Sequence, residues 1–217
     1  MRTDIVIRLE TPDDYYAVES LTRDAFWNVH VPGCSEHYLA HTLRNAEAFI
    51  PELDFVAVYC GRIVGNIMYA ESFVEGDDGV IHPVVTFGPV SVAPWIQGQS
   101  VGSTLIRNSL ERAHKLGYGA VLIYGDPDYY RKFGFLPAES FQIGTSDNFY
   151  ADALLALELA PGALKDCAGR FFEGDAYHID ETAVAAFDVR SPHKAPQDDL
   201  DSQKRFLELV QLRKPRA

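Results

Sequence analysis

The sequence predicts a mixed α/β fold whose twisted sheet is mostly antiparallel and is flanked by helices. Three observations carry this. The β-rich runs Phe55–Tyr59 and 63–73 are joined by Cys60-Gly61-Arg62, a connection tight enough to make a hairpin. A third run, 80–92, follows the turn sequence Glu75-Gly76-Asp77-Asp78-Gly79. The segment 100–116 then shows the apolar stripe of a helix and is followed by the continuous apolar run Ala120–Tyr124, the pattern of a strand–helix–strand crossover with parallel strands.

The other elements can be read in order. Ile5–Leu9 alternates as a short strand. Thr11-Pro12-Asp13-Asp14 supplies a capping residue, a proline at the first helical position and two acids in the first turn, so a helix runs from there to about Trp27. Pro32-Gly33 breaks it, and a second helix is expected over 35–45. In the run 80–92, Pro83 removes one ladder donor and Gly88-Pro89 another, so this strand must bulge or splay from a neighbour. Val101, Leu105, Ile106, Leu110, Ala113 and Leu116 form the stripe of the helix 100–116, and Gly117 stops it. Asp126-Pro127 opens a short helix that Gly134 closes. Strands are expected over 135–143 and 149–159, a further strand or hairpin over 171–179, a loop over 191–201 and a terminal helix over 203–212.

The chain has 217 residues, long enough for one domain with a small extension, and its composition (47% hydrophobic, 23% charged) is that of a globular protein. The formal net charge of −12 repels nucleic acid and anionic membranes, so neither is expected as a partner, and it favours cationic ones. Cys34, Cys60 and Cys167 are odd in number and lack metal-ligand or redox spacing; they are read as reduced thiols, and no metal is expected. The first residues carry charges where a secretion signal needs an apolar stretch, and no apolar run reaches membrane-spanning length, so a cytoplasmic location is expected.

The chemistry concentrates between residues 87 and 135. Gln97-Gly98-Gln99-Ser100-Val101-Gly102-Ser103 lies between a strand and a helix start. Glycines there let the backbone approach a ligand, and the unpaired N–H groups of the first turn point at it, which suits a pyrophosphate. Neither a dinucleotide-binding GxGxxG nor a Walker loop is present.

The segment from Gly88-Pro89-Val90-Ser91-Val92 through Gln97-Gly98-Gln99-Ser100-Val101-Gly102 resembles the acetyl-CoA signature of the GNAT superfamily of N-acetyltransferases. Tyr130-Arg131-Lys132-Phe133-Gly134-Phe135 resembles that superfamily's Tyr-x-x-x-Gly-Phe element, in the same order and spacing. The resemblance covers about residues 3–145 and looks most like a bacterial branch with an extra C-terminal segment. It implies a GNAT domain over 1–160 with a C-terminal extension over 161–217. Its fourth and fifth strands would splay around pantetheine, which would pair with Val90, Ser91 and Val92, while Gln97 to Ser103 would hold the phosphates. It further implies acetyl-CoA as cosubstrate, a small-molecule or peptide amine as acceptor, and direct attack in a ternary complex. Homodimers are usual in such folds.

Amide formation from a thioester needs a neutral amine, a stabilised carbonyl oxygen and a proton for the departing thiolate. An N–H near Val90 is the candidate for the second and Tyr130 for the third. The fourth strand has no carboxylate at the position where many relatives keep one. Glu71, His82 and Asp126 are the candidate bases, and attack by an already neutral amine is the other route. Arg131 and Lys132 are candidates for the terminal phosphate, and Trp27, Tyr38 and His41 for the acceptor pocket. Two other functions fit the same residues: a non-catalytic acyl-CoA sensor, and transfer of a different acyl group.

Overall fold

The computed structural model describes residues 4–216. Strand β1 (Ile5–Leu9) leads through a proline-started turn, Pro12–Asp14, into helix α1 (Tyr15–Phe26), and α2 (Glu36–Leu43) follows. Next come β2 (Phe55–Tyr59), β3 (Arg62–Gly76), β4 (Ile81–Val92), α3 (Val101–Lys115) and β5 (Ala120–Tyr124). The short α4 (Pro127–Tyr130) precedes β6 (Leu136–Pro137), β7 (Ile143–Gly144), β8 (Phe149–Ala151), β9 (Leu154–Glu158) and β10 (Gly169–Phe172). The chain closes with α5 (Glu181–Asp188), α6 (Asp201–Gln211) and β11 (Arg213–Pro215).

The main sheet runs β1-β2-β3-β4-β5-β9-β6, with β10 pairing β3 and β7, and is antiparallel except where β4 meets β5 and β10 meets β7. The long strand β3 organises its edge. Its first half pairs with β2, Phe49 bridges to Ala70, and its last residues, from Phe73 to Gly76, pair with β10. Residues beyond 160 therefore complete an edge that β2 is too short to cover, and Gly169 is obligatory there: a Cβ would lie 2.1 Å from the Glu75 carbonyl oxygen. A second small sheet pairs β11 with β8.

Helix α3 covers one face. Leu105 and Ile106 are fully buried against Val64, Ile67 and Tyr69, and burial of each such side chain contributes about 1.5–3 kcal/mol. The Tyr69 hydroxyl, buried with them, hydrogen-bonds Ser109 on the helix at 2.8 Å.

The structure departs from the sequence expectations in three places. The run 135–143 is not one strand: Pro137 lacks a donor, residues Ala138–Phe141 wind into a 3-10 turn, and Gln142 takes a positive φ of 59°. The run 149–159 is split by a turn at Asp152-Ala153 into β8 and β9, which belong to different sheets. In 171–179 the strand ends at Phe172, because Gly174 turns the chain with φ 83° into the 3-10 turn Asp175–Tyr177.

Helix α5 is tied to the first two helices. Arg23, 4% exposed, donates from Nε to Asp188 at 2.5 Å and from Nη2 at 3.1 Å, and His37 Nε2 lies 3.3 Å from the same carboxylate. Cys34 Sγ is 3.4 Å from His37 Nδ1, so a thiol, an imidazole and a carboxylate stand in line. Burial pushes that thiol up to about 12, so it stays protonated and the row is a packing contact.

Candidate active site

The parallel register of β4 and β5 consists of one partner pair, Val85 and Val121. Beyond it the strands diverge, and the β5-facing backbone of residues 86–92 has no strand opposite among the described residues. On its other side β4 bulges: Ile67 faces Val90 and Tyr69 faces Phe87, so Gly88-Pro89 is extra length in the ladder. The predicted break both bulges and splays, for the reason the sequence offered. The Tyr177 hydroxyl donates to the Gly88 carbonyl at 3.2 Å and holds the bulge from the C-terminal side.

Where β4 ends, the chain turns through Pro94–Ile96 and enters α3. Gly98 and Ser100 both take positive φ, 74° and 67°, which aims the loop backbone outward. No side chain caps the helix, and the first helical backbone bond is Thr104 N–H to Ser100 O at 2.9 Å. The N–H groups of Val101, Gly102 and Ser103 therefore point out of the helix start without carbonyl partners behind them, where the helix dipole adds positive potential. Gln97 folds back and donates from Nε2 to the Val92 carbonyl at 3.0 Å. Gly102 sits tightly: a Cβ would lie 3.3 Å from both the Tyr129 hydroxyl and Val92 Cγ2, so these side chains would have to give by a few tenths of an ångström.

Two joined clefts open along the splay. The first, about 440 Å³, is lined by Val90, Val92, Gln97, Gly98, the start of α3 from Ser100 to Ser103, Tyr129, Tyr130 and Lys132. The second, about 730 Å³, shares Val90, Tyr129 and Tyr130 and continues past Phe87 and Tyr124 to Glu173, Tyr177 and α6. Tyr130 stands where they meet. Its ring packs against Phe87, Phe133 and Phe135, and Gly125 makes room for it, since a Cβ there would lie 2.4 Å from the ring. Burial pushes its phenol well above the usual range, so it holds its proton at every physiological pH.

The other sequence candidates divide. Val90, Val92, Gln97, Gly98, Ser100, Val101, Gly102 and Ser103 line the first cleft, whereas Gln99 does not, and Ser91 is buried with its hydroxyl donating to Thr22. Asp126 lines the second cleft but is engaged: it caps α4 by accepting from Asp128 N–H and pairs with Arg205. Glu71 is exposed and lies near Tyr118, beyond the far end of α3, and His82 sits on the far part of β4, about 25 Å of strand from Val90 at ~3.3 Å per residue. Neither lines either of these two clefts. Lys132 reaches the first cleft, while Arg131 pairs with Asp128. Trp27 donates to the Ala195 carbonyl, and Tyr38 and His41 pack on Phe187, so these three contact the C-terminal segment instead of a cleft.

One carboxylate was missed. Glu173, next to the end of β10, lines the second cleft, and desolvation alone raises its carboxyl to about 7. Its only local signal is an acid between Phe171-Phe172 and Gly174, which could equally begin a surface turn.

With this geometry in hand, comparison with known proteins decides the family. The model of the acetyltransferase (GNAT) family matches residues 16–135. The chain belongs to the GNAT family. It is 30% identical over 132 residues to the uncharacterized N-acetyltransferase YhbS of Escherichia coli, covering 60% of this chain and 73% of that protein. It is 33% identical over 101 residues to YjhQ of the same organism, covering 46% of this chain and 54% of that relative. The crystal structure of YhbS in complex with CoA superimposes with a TM-score of 0.69 at 26% identity, covering 80% of this chain and 92% of the other. A GNAT acetyltransferase from Brucella melitensis in complex with acetyl-CoA gives 0.64 at 27% identity, covering 80% and 98%. The GNAT match ends at Phe135, so Glu173, Tyr177 and α6 lie outside it. Among the described residues no cluster of His, Cys, Asp and Glu has the arrangement of a metal site, and no helix is long and apolar enough to cross a membrane.

Proposed function

We propose that this protein transfers the acetyl group of acetyl-CoA to a primary amine in a ternary complex. The observation that carries this is the junction of the two clefts at Tyr130: a cleft with unpaired helix-start N–H groups on one side, an apolar cleft on the other, and a protonated phenol between them. The helix-start N–H groups and Lys132 suit the phosphates, and the strand-free edge of β4 from Val90 to Val92, where Gln97 takes up one lone pair of the Val92 carbonyl, suits the amides of pantetheine. An N–H of that edge near Val90 would face the thioester oxygen as it gains charge. Tyr130 would deliver its proton to the leaving sulfur. The net charge of −12 draws cationic amines towards the surface.

Two measurements test this reading. Acetyl-CoA in excess should raise Tm, and an amine panel should release free CoA thiol from it only when protein is present. A Tm rise with no thiol release from any amine points to the sensor, and preferential use of a longer acyl donor points to a different transferase. The loop is tested by Gly102→Val, which pushes a side chain against Tyr129 and Val92. At acetyl-CoA one hundredfold over Kd, a tenfold loss of affinity lowers ligand stabilisation from about 2.7 to about 1.4 kcal/mol. The variant should therefore show about half the ligand-induced Tm rise or less.

A further inference from the structure

We propose that Glu173, from the C-terminal segment, is the group that takes the proton from the acceptor, and that the cleft it lines selects amines carrying an apolar or aromatic group. This rests on the acetyl-transfer reading and goes beyond it by naming the base and the acceptor class.

The cleft itself limits the acceptor. About 730 Å³ in volume, it runs from Tyr130 to α6, and its walls include Phe26, Phe87, Tyr124, Phe206 and Leu209. An aromatic or aliphatic body gains by leaving water there, whereas a sugar-like amine would leave its hydroxyls unpaired.

Glu173 stands apart from the other acids there. The other carboxylates of this cleft are engaged, Asp126 with α4 and Arg205, and Glu36 with His30 at 3.0 Å. Glu173 has no ion pair or hydrogen bond among the described residues; its charge raises the phenols of Tyr124 and Tyr177. The titratable groups facing this cleft are those two phenols, Tyr129 and Tyr130, the Asp126–Arg205 pair, and His30 with Glu36. None is a cation placed to pair with Glu173. With a carboxyl near 7, Glu173 is mostly ionised just above neutrality and is a far stronger base than an exposed glutamate.

An ammonium entering the cleft meets the complementary condition. Desolvation penalises both charges, so a neutral amine beside a neutral carboxylic acid becomes accessible. Glu173 accepts one proton from the ammonium. The nitrogen lone pair forms the C–N bond to the acetyl carbon, the C–S bond breaks, and Tyr130 gives its proton to the sulfur. The nitrogen's surplus proton returns to the Tyr130 oxygen, and Glu173 releases its own to solvent. The sum is ammonium plus thioester to amide, thiol and one proton.

The test uses the full chain with 2-phenylethylamine and ethanolamine as acceptors, following CoA thiol release from pH 5.5 to 10. Wild type should prefer 2-phenylethylamine at least tenfold in kcat/KM, with a rise through about pH 7 and a plateau below the amine's own pKa. Glu173→Gln should lose tenfold or more at pH 7.5, climb about tenfold per pH unit, and approach wild type only near the amine's pKa, where neutral amine is supplied by solution. Its Tm rise with acetyl-CoA should match wild type, which shows that the fold and the first cleft are intact. Should Gln fail to fold, Glu173→Met, equally unable to take a proton, replaces it, with the same shift in profile expected. An unchanged pH profile in the variant overturns Glu173 as the base. A wild type that binds acetyl-CoA but ignores 2-phenylethylamine, or prefers ethanolamine, overturns the acceptor class. A wild type whose Tm acetyl-CoA does not raise defeats the underlying transfer reading instead.

Discussion

Tyr130→Phe is expected to lower kcat by about 10²–10⁴-fold, the range for loss of a positioned general acid, while leaving acetyl-CoA binding near wild type. The ring should be retained in place, because Phe87, Phe133 and Phe135 hold it and Gly125 leaves room for it. Only the hydroxyl goes. Burial raises this phenol well above its ordinary value, which at first makes it a poorer acid. The departing thiolate forms in the same low-dielectric junction and is raised by the same desolvation, so the proton moves between groups shifted together. The folded pKa lies on the alkaline side, so Tyr130 remains protonated across the working range. Its titration should therefore put no alkaline limb on the rate below about pH 10, where an unperturbed tyrosine would begin to ionise. Steady-state kcat, with a parallel thermal shift by acetyl-CoA, checks both parts. A kcat within threefold of wild type would mean that the sulfur is protonated by something else.

The second large effect falls on stability. Arg44, at the end of α2, has a side chain 4% exposed and grips Glu10, whose side chain is fully buried, through Nε at 2.8 Å and Nη2 at 2.7 Å. Its Nη1 reaches Glu19 at 3.0 Å, and its guanidinium lies 4.2 Å from the Tyr15 ring centroid. Asp54 is buried beside Glu10, and desolvation first, then the bond to Glu10 and its charge, hold the Asp54 carboxyl far above the usual range. Asp54 therefore stays neutral at pH 7, and Arg44 is the cation that compensates Glu10. Arg44→Leu leaves that carboxylate buried and unpaired, and is expected to cost about 3–5 kcal/mol. Urea unfolding of the single variant, and of the double variant with Glu10→Leu, checks it, because removing both charges should recover much of the loss. Since the Asp54 pKa is raised on folding, its contribution is present in acid and is lost as pH climbs through the folded value. The corresponding fall in stability should begin just above the ordinary value of 3.8 and continue up to the folded value of about 9.

The same linkage gives Glu173 a signature that needs no substrate. With a folded value of about 7 and an ordinary one near 4.5, the native state binds the extra proton between those limits. This group should lower stability across that window by roughly 3 kcal/mol, and Glu173→Gln should remove that share of the slope.

The sequence made legible whatever depends on near neighbours. The hairpin of β2 and β3, the crossover through α3, the break at Gly88-Pro89 and the helix start at 97–103 all rest on local turn chemistry or periodicity, and the structure has each of them. The misreadings come where long-range pairing overrides local pattern. Residues 149–159 alternate well enough for one strand, yet Leu154–Glu158 pairs with β5 and Phe149–Ala151 with β11, more than sixty residues downstream. Glu173 was hidden for the same reason. It reaches the cleft because β10 pairs with the end of β3, a partnership of four residues with no local periodicity to announce it. Glu71 and His82 attracted interest by residue type alone, and strand geometry carries them away from the splay.

In the proposed complex the β4–β5 splay and the start of α3 hold acetyl-CoA with its sulfur facing Tyr130. A crystal structure of the protein with CoA tests this arrangement. Pantetheine is expected between β4 and β5, paired with the backbone at Val90 and Val92. The pyrophosphate is expected on the N–H groups of residues 98–103 and the sulfur within hydrogen-bonding reach of the Tyr130 hydroxyl. CoA bound outside the splay, or a sulfur remote from Tyr130, would contradict it.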